Sequence, residues 1–106
     1  MLIRVNIYKL YFLKENMGTA LLRIKLMPTS PEVDFQEVKE KAKAIVEKGK
    51  GRNCAFEEEP IAFGLKALIV SFDIDEEQDL EPVEEGLRNI EDINSAQVID
   101  MRRAFG

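Results

Sequence analysis

Residues 65–74 read LKALIVSFDI, and this stretch constrains the fold more than any other. Leu68, Val70, Phe72 and Ile74 fall on one face of a strand, and Ala67, Ile69 and Ser71 on the other. Apolar side chains on both faces predict a central strand, with neighbours on each side and a covering layer. Three further segments supply the neighbours. In TALLRIKLMP, Ala20, Leu22, Ile24 and Leu26 alternate with Arg23 and Lys25 until Pro28 stops the strand. Residues 52–59 read as a strand with Cys54 and Phe56 inward, and SAQVIDMRRAF (95–105) reads as the last strand.

Between these strands the period changes from two to about 3.6. Ser30 followed by Pro31, with Glu32 and Asp34 next, predicts a helix capped by Ser30. Phe35, Val38, Ala42, Ile45 and Val46 form its apolar stripe, and Gly49 ends it. A second helix is capped by Asp79 and carries Leu80, Val83, Leu87 and Ile90. Pro82 sits in its first turn, where a missing N–H is tolerated, whereas Gly86 inside it costs roughly 1 kcal/mol relative to alanine. The order strand, helix, strand, strand, helix, strand predicts an α+β, ferredoxin-like βαββαβ sandwich. Its four-stranded antiparallel sheet carries both helices on one face and leaves the other open.

At 106 residues the chain forms one domain. It contains no histidine, so His-based acid–base chemistry and most zinc sites are excluded. The lone Cys54 has no disulfide partner and points to a reducing, cytoplasmic setting. No apolar run spans a bilayer. The net charge of −5 argues against direct contact with nucleic acid and favours a basic protein surface as partner. That charge is unevenly distributed. Residues 1–16 carry a net +2 and the remainder a net −7, with Met17-Gly18 at the change. Residues 1–16 are therefore expected to be an upstream extension and 17–106 the domain proper. The alternative is an added edge strand, because Ile3, Val5 and Ile7 alternate.

Weak motifs resolve into structural roles. Asp73, Asp75, Glu76, Glu77 and Asp79 lack the glycine-punctuated loop of a calcium site and read as a solvated turn with a helix-capping acid. EKGKGRN (47–53) misses the phosphate-loop spacing. The third strand has Phe72 as its one aromatic, facing inward, unlike the RNA-binding sheets that share this fold order. Neither a cofactor nor a metal is expected.

Two segments remain. In EEEPIAFGLKAL the connection between strands holds Ile61 and Phe63 between Pro60 and Gly64, although turns are usually polar. Either the turn folds back onto its own sheet or it offers a hydrophobic tip to a partner. At the C-terminus, MRRAFG places Arg102 and Arg103 as cations beside an acidic domain, suited to phosphate or carboxylate groups.

From Met17 to the end the chain resembles the archaeal translation elongation factor 1-beta family, guanine nucleotide exchange factors for elongation factor 1-alpha. The resemblance rests on MGTALLRIKLMPTSPEVD, EEEPIAFGLKAL and VIDMRRAFG, in order. It implies a ferredoxin-like domain without covalent chemistry that binds the GDP-bound GTPase as a monomer and speeds nucleotide release. It further implies that the turn phenylalanine inserts into the partner. The matching position is Phe63, supported by Ile61, Ala62, Gly64 and Lys66, with Arg102 and Arg103 as further partner-binding candidates. Eukaryotic members carry a lysine near the C-terminus that disturbs the magnesium site, whereas here no lysine follows Lys66 and the chain ends at Gly106. The open sheet face, with Leu21, Ala67 and Ile69 among Arg23 and Lys25, is a candidate docking surface. The competing reading is an ACT-like regulatory module that oligomerises and binds a small metabolite.

Overall fold

The computed structural model describes residues 18–104. Residues 1–17 and the last two residues lie outside that range, as does the edge strand considered for Ile3–Ile7. The elements are β1 (Thr19–Pro28), α1 (Phe35–Lys48), β2 (Arg52–Pro60), a short turn at Ala62–Gly64, β3 (Lys66–Asp75), α2 (Glu81–Arg88) and β4 (Ile93–Ala104). The sheet order is β2-β3-β1-β4 with antiparallel neighbours throughout, so LKALIVSFDI does supply a central strand. This is the ferredoxin-like α+β arrangement.

The core follows from the register. Leu22 stands opposite Phe72, Ile24 opposite Val70, and Leu26 opposite Leu68, all pointing at the helices. Val38, Ala42 and Val46 of α1 and Val83 and Leu87 of α2 close over them. Each large side chain buried there contributes about 1.5–3 kcal/mol relative to exposure. Cys54 and Phe56 pack at the margin of this core from β2. Burial pushes the Cys54 thiol pKa up, the Glu47 carboxylate adds to that, and Lys43 opposes it.

The helix termini correct two expectations. Ser30 does not cap α1; its Oγ accepts the Glu32 N–H at 3.3 Å within a separate turn. Asp34 is the cap, its Oδ1 accepting the Gln36 N–H at 2.9 Å. The helix begins where the apolar stripe meets the core, and Pro31 is used in the preceding turn. In α2 the N-cap position is Leu80, and Asp79 acts from one residue further out, its Oδ1 accepting the Glu81 N–H at 3.0 Å. Ile90 is buried just beyond the last turn rather than on the helix.

Glycines let the two helices touch. Gly49 ends α1 with right-handed backbone (φ −83°), and a Cβ there would stand 2.3 Å from Val83 Cγ2. At Gly86 a Cβ would stand 2.8 Å from Ile45 Cγ2. The propensity lost at Gly86 is thus exchanged for close helix–helix approach.

The sheet face away from the helices is not the open docking surface expected from sequence. Ala67 and Ile69 are fully buried. Arg23 pairs with Glu57 (3.7 Å) and Lys25 with Glu59 (3.5 Å), reaching diagonally across β3. Long side chains lay their apolar stems over such residues while keeping their charges in water. Of the apolar trio only Leu21 stays exposed.

Candidate functional site

The β2–β3 hairpin answers the question posed by its apolar turn. Pro60 ends β2 opposite Lys66; among the described strands β2 lies at the edge, where a residue without an N–H is tolerated. The Ile61 N–H donates to Leu65 O at 2.7 Å, and the Leu65 N–H donates to Ala62 O at 3.3 Å. Between them Phe63 (φ 62°, ψ 33°) and Gly64 (φ 76°) are both left-handed, the backbone pattern of a type I′ turn. Ile61 and Leu65 are half-buried and anchor the turn, while the Phe63 ring stands 95% exposed.

Left-handed backbone suits Gly64, around which a Cβ would meet nothing within 4 Å. For phenylalanine it is unfavourable, because a bulky L-residue crowds its own backbone there. Water does not reward the exposed ring either. Two local costs therefore coincide at one residue with no compensating contact inside the described protein. Such coincidences concentrate at sites of recognition.

Lys66 opens β3 at the root of this hairpin and is exposed. It reaches Glu58 at 3.8 Å, and Glu58 also takes Lys39 from α1 at 3.5 Å. A shallow cleft of about 340 Å³ lies beside them, lined in part by Pro28, Val33, Phe35 and Gly64. The link from α1 through Glu58 to Lys66 was not anticipated from sequence, because residues 39, 58 and 66 meet only once the strands are in register.

Arg102 and Arg103 do not join this site. Arg103 lies opposite Ala20, which lies opposite Ile74, at the far end of the sheet. From Lys66 to Ile74 a strand covers about 26 Å. Arg102 is engaged by Asp100 at 3.0 Å and Arg103 by Glu76 at 2.6 Å. The nearby acids are occupied as well: Asn53 donates to Asp73 at 2.6 Å, and Arg52 to Asp75 at 3.1 Å. Among the described residues no group of acids and cysteine is arranged to hold a metal ion. Nor is any described helix long and apolar enough to cross a membrane.

A split-βαβ domain that holds one aromatic ring out on a strained hairpin has the form of a protein-docking module. The sequence specifies which kind. The EF-1 guanine nucleotide exchange domain matches residues 21–104, and the chain belongs to that family of nucleotide exchange factors. It is 43% identical over 88 residues to elongation factor 1-beta of Methanosarcina barkeri, covering 82% of this chain and 99% of the relative. To elongation factor 1-beta of Methanocaldococcus jannaschii it is 38% identical over 89 residues, covering 83% of this chain and all of the relative. The Methanococcus maripaludis protein of that name is 36% identical over 86 residues, 80% of this chain and 97% of the relative. These matches do not favour the metabolite-binding regulatory module.

Proposed function

We propose that this domain promotes exchange of GDP for GTP on elongation factor 1-alpha by inserting Phe63 into the GTPase and distorting its nucleotide and magnesium site. The observation that carries the proposal is the exposed ring on left-handed backbone. Burying one phenylalanine contributes about 1.5–3 kcal/mol, available here only when a partner supplies the pocket. If that pocket exists only in the distorted GTPase, the factor binds better when nucleotide is absent. Linkage then requires that it lower nucleotide affinity by the same factor. No bond is made or broken, so the domain is a binding factor and not an enzyme.

Ile61, Ala62 and Gly64 shape the tip, and Lys66 supplies a cation at its root. Arg102 and Arg103 act on the same partner only if it reaches both ends of the sheet. The exchange domain comprises residues 17–106 and works as a cytoplasmic monomer without direct contact to nucleic acid. The full match to an 89-residue relative supports these bounds. The test is to mix the protein with elongation factor 1-alpha loaded with fluorescent GDP. Release should accelerate and saturate with added domain, and Phe63→Ala should lose most of the effect. A rate equal to spontaneous release overturns the proposal.

A further inference from the structure

Glu76 follows directly on β3, and its side chain is only 16% exposed. One carboxylate oxygen, Oε2, accepts from Arg103 Nε at 2.6 Å. The other, Oε1, is buried and has no hydrogen-bond partner among the described residues. A carboxylate oxygen removed from water without a donor is costly and rare in folded proteins. Among the described residues its charged neighbours, Arg103 excepted, are engaged elsewhere or exposed. Arg103 approaches from β4; Asp75 is engaged by Arg52 of β2, Glu77 is exposed, and Arg102 is engaged by Asp100. Just before β1, the residue that arrives is Gly18. It is buried, and its carbonyl accepts the Glu76 N–H at 3.3 Å.

Gly18 is also where the sequence changes character, following Met17 at the switch from net positive to net negative charge. We propose that the working chain starts at Met17, loses that methionine, and ion-pairs the α-ammonium of Gly18 with Glu76 Oε1. The step is hydrolysis by a methionine aminopeptidase. Water adds its hydroxyl to the Met17 carbonyl carbon and its hydrogen to the Gly18 nitrogen, which is then protonated. A glycine after the initiator is compatible with such removal. An ammonium at this position would supply the donor that Oε1 lacks.

This inference rests on residues 17–106 being the exchange domain. The sheet pairing and the core cluster lie within residues 18–104, and an 89-residue relative is matched whole, so the shorter chain has the elements of a complete fold. The test begins with the chain expressed from Met17, whose mass should show loss of one methionine. Its α-amino pKa, read from pH-dependent acylation, should lie about one unit above the ordinary ~7.7–8.0, and Glu76→Gln should return it to that range. With the folded pKa raised, the stabilisation is full below the ordinary pKa and is lost as pH rises through the folded value. Glu76→Gln should lower the melting temperature more in the shorter chain than in the 106-residue chain, where Gly18 nitrogen is an amide. A retained methionine, an ordinary α-amino pKa, an equal effect of Glu76→Gln in both chains, or a shorter chain that does not fold overturns the inference. Exchange by the shorter chain is read separately. A raised pKa without exchange refutes the functional proposal and leaves the ion pair standing.

Discussion

Replacing Phe63 with glycine separates what the ring does for the free protein from what it does for exchange. The side chain is 95% exposed, so its removal deletes almost no buried surface. Releasing a bulky residue from left-handed backbone is worth about 1–3 kcal/mol. The extra freedom that glycine gives the unfolded chain costs about 0.5–1 kcal/mol. The balance is a gain of about 0–2.5 kcal/mol. At 4–8 °C per kcal/mol for a domain of this size, calorimetry should show a melting temperature unchanged or raised by up to about 20 °C. Exchange should move the other way. Loss of about 1.5–3 kcal/mol of partner burial corresponds to a fall of roughly 10- to 150-fold in stimulated GDP release. Phe63→Ala serves as the control, since it removes the ring but keeps most of the backbone strain. It should lose exchange to the same extent with little change in melting temperature. A drop of more than about 5 °C for the glycine variant would mean that the ring packs within its own domain. The reasoning would then be wrong, as it would if exchange were unaltered.

Other perturbations probe other parts of the account. Gly49→Ala drives a Cβ to 2.3 Å from Val83 Cγ2 and should destabilise the protein by about 1–3 kcal/mol, partly recovered by adding Val83→Ala; thermal melts decide. Arg102→Glu, at an exposed pair, should change stability by under about 1 kcal/mol while slowing exchange and weakening its salt dependence; an unaltered salt response removes Arg102 from the interface. Arg103→Glu sets a carboxylate against Glu76 and should lower the melting temperature clearly, so it does not serve as a probe of exchange. The Cys54 thiol, held up by burial, should be alkylated more slowly in the folded than in the unfolded protein at pH 8. Its contribution to stability is full below the ordinary thiol pKa and is lost as pH rises through the raised folded value, which alkaline denaturation of the protein and Cys54→Ala would reveal.

Much of the fold was legible because the core-facing residues keep strict periods. The face bearing Leu68, Val70, Phe72 and Ile74, and that bearing Leu22, Ile24 and Leu26, point where alternation predicts. The cap of α1 is not legible in the sequence because Ser30 and Asp34 are both favoured capping residues, and only the position of the core selects between them. The cover on the outer sheet face is not legible either, because Arg23, Lys25, Glu57 and Glu59 look like independent solvated charges in sequence. In the fold they pair across β3 over Ala67 and Ile69. At the hairpin, Pro60 and Gly64 marked a turn, but the left-handed state of Phe63 depends on how Ile61 and Leu65 close the ladder. The separation of Arg102 and Arg103 from that turn depends likewise on strand direction, which residue types do not record.

The central claim is that Phe63 binds a state of the GTPase that nucleotide disfavours. Affinity of the domain for nucleotide-free and GDP-bound elongation factor 1-alpha, measured by titration for wild type and Phe63→Ala, tests it directly. The wild-type protein should prefer the nucleotide-free form by at least about tenfold, a coupling of about 1.4 kcal/mol, and the variant should lose most of that preference. Equal weakening toward both forms, with the preference intact, would contradict it.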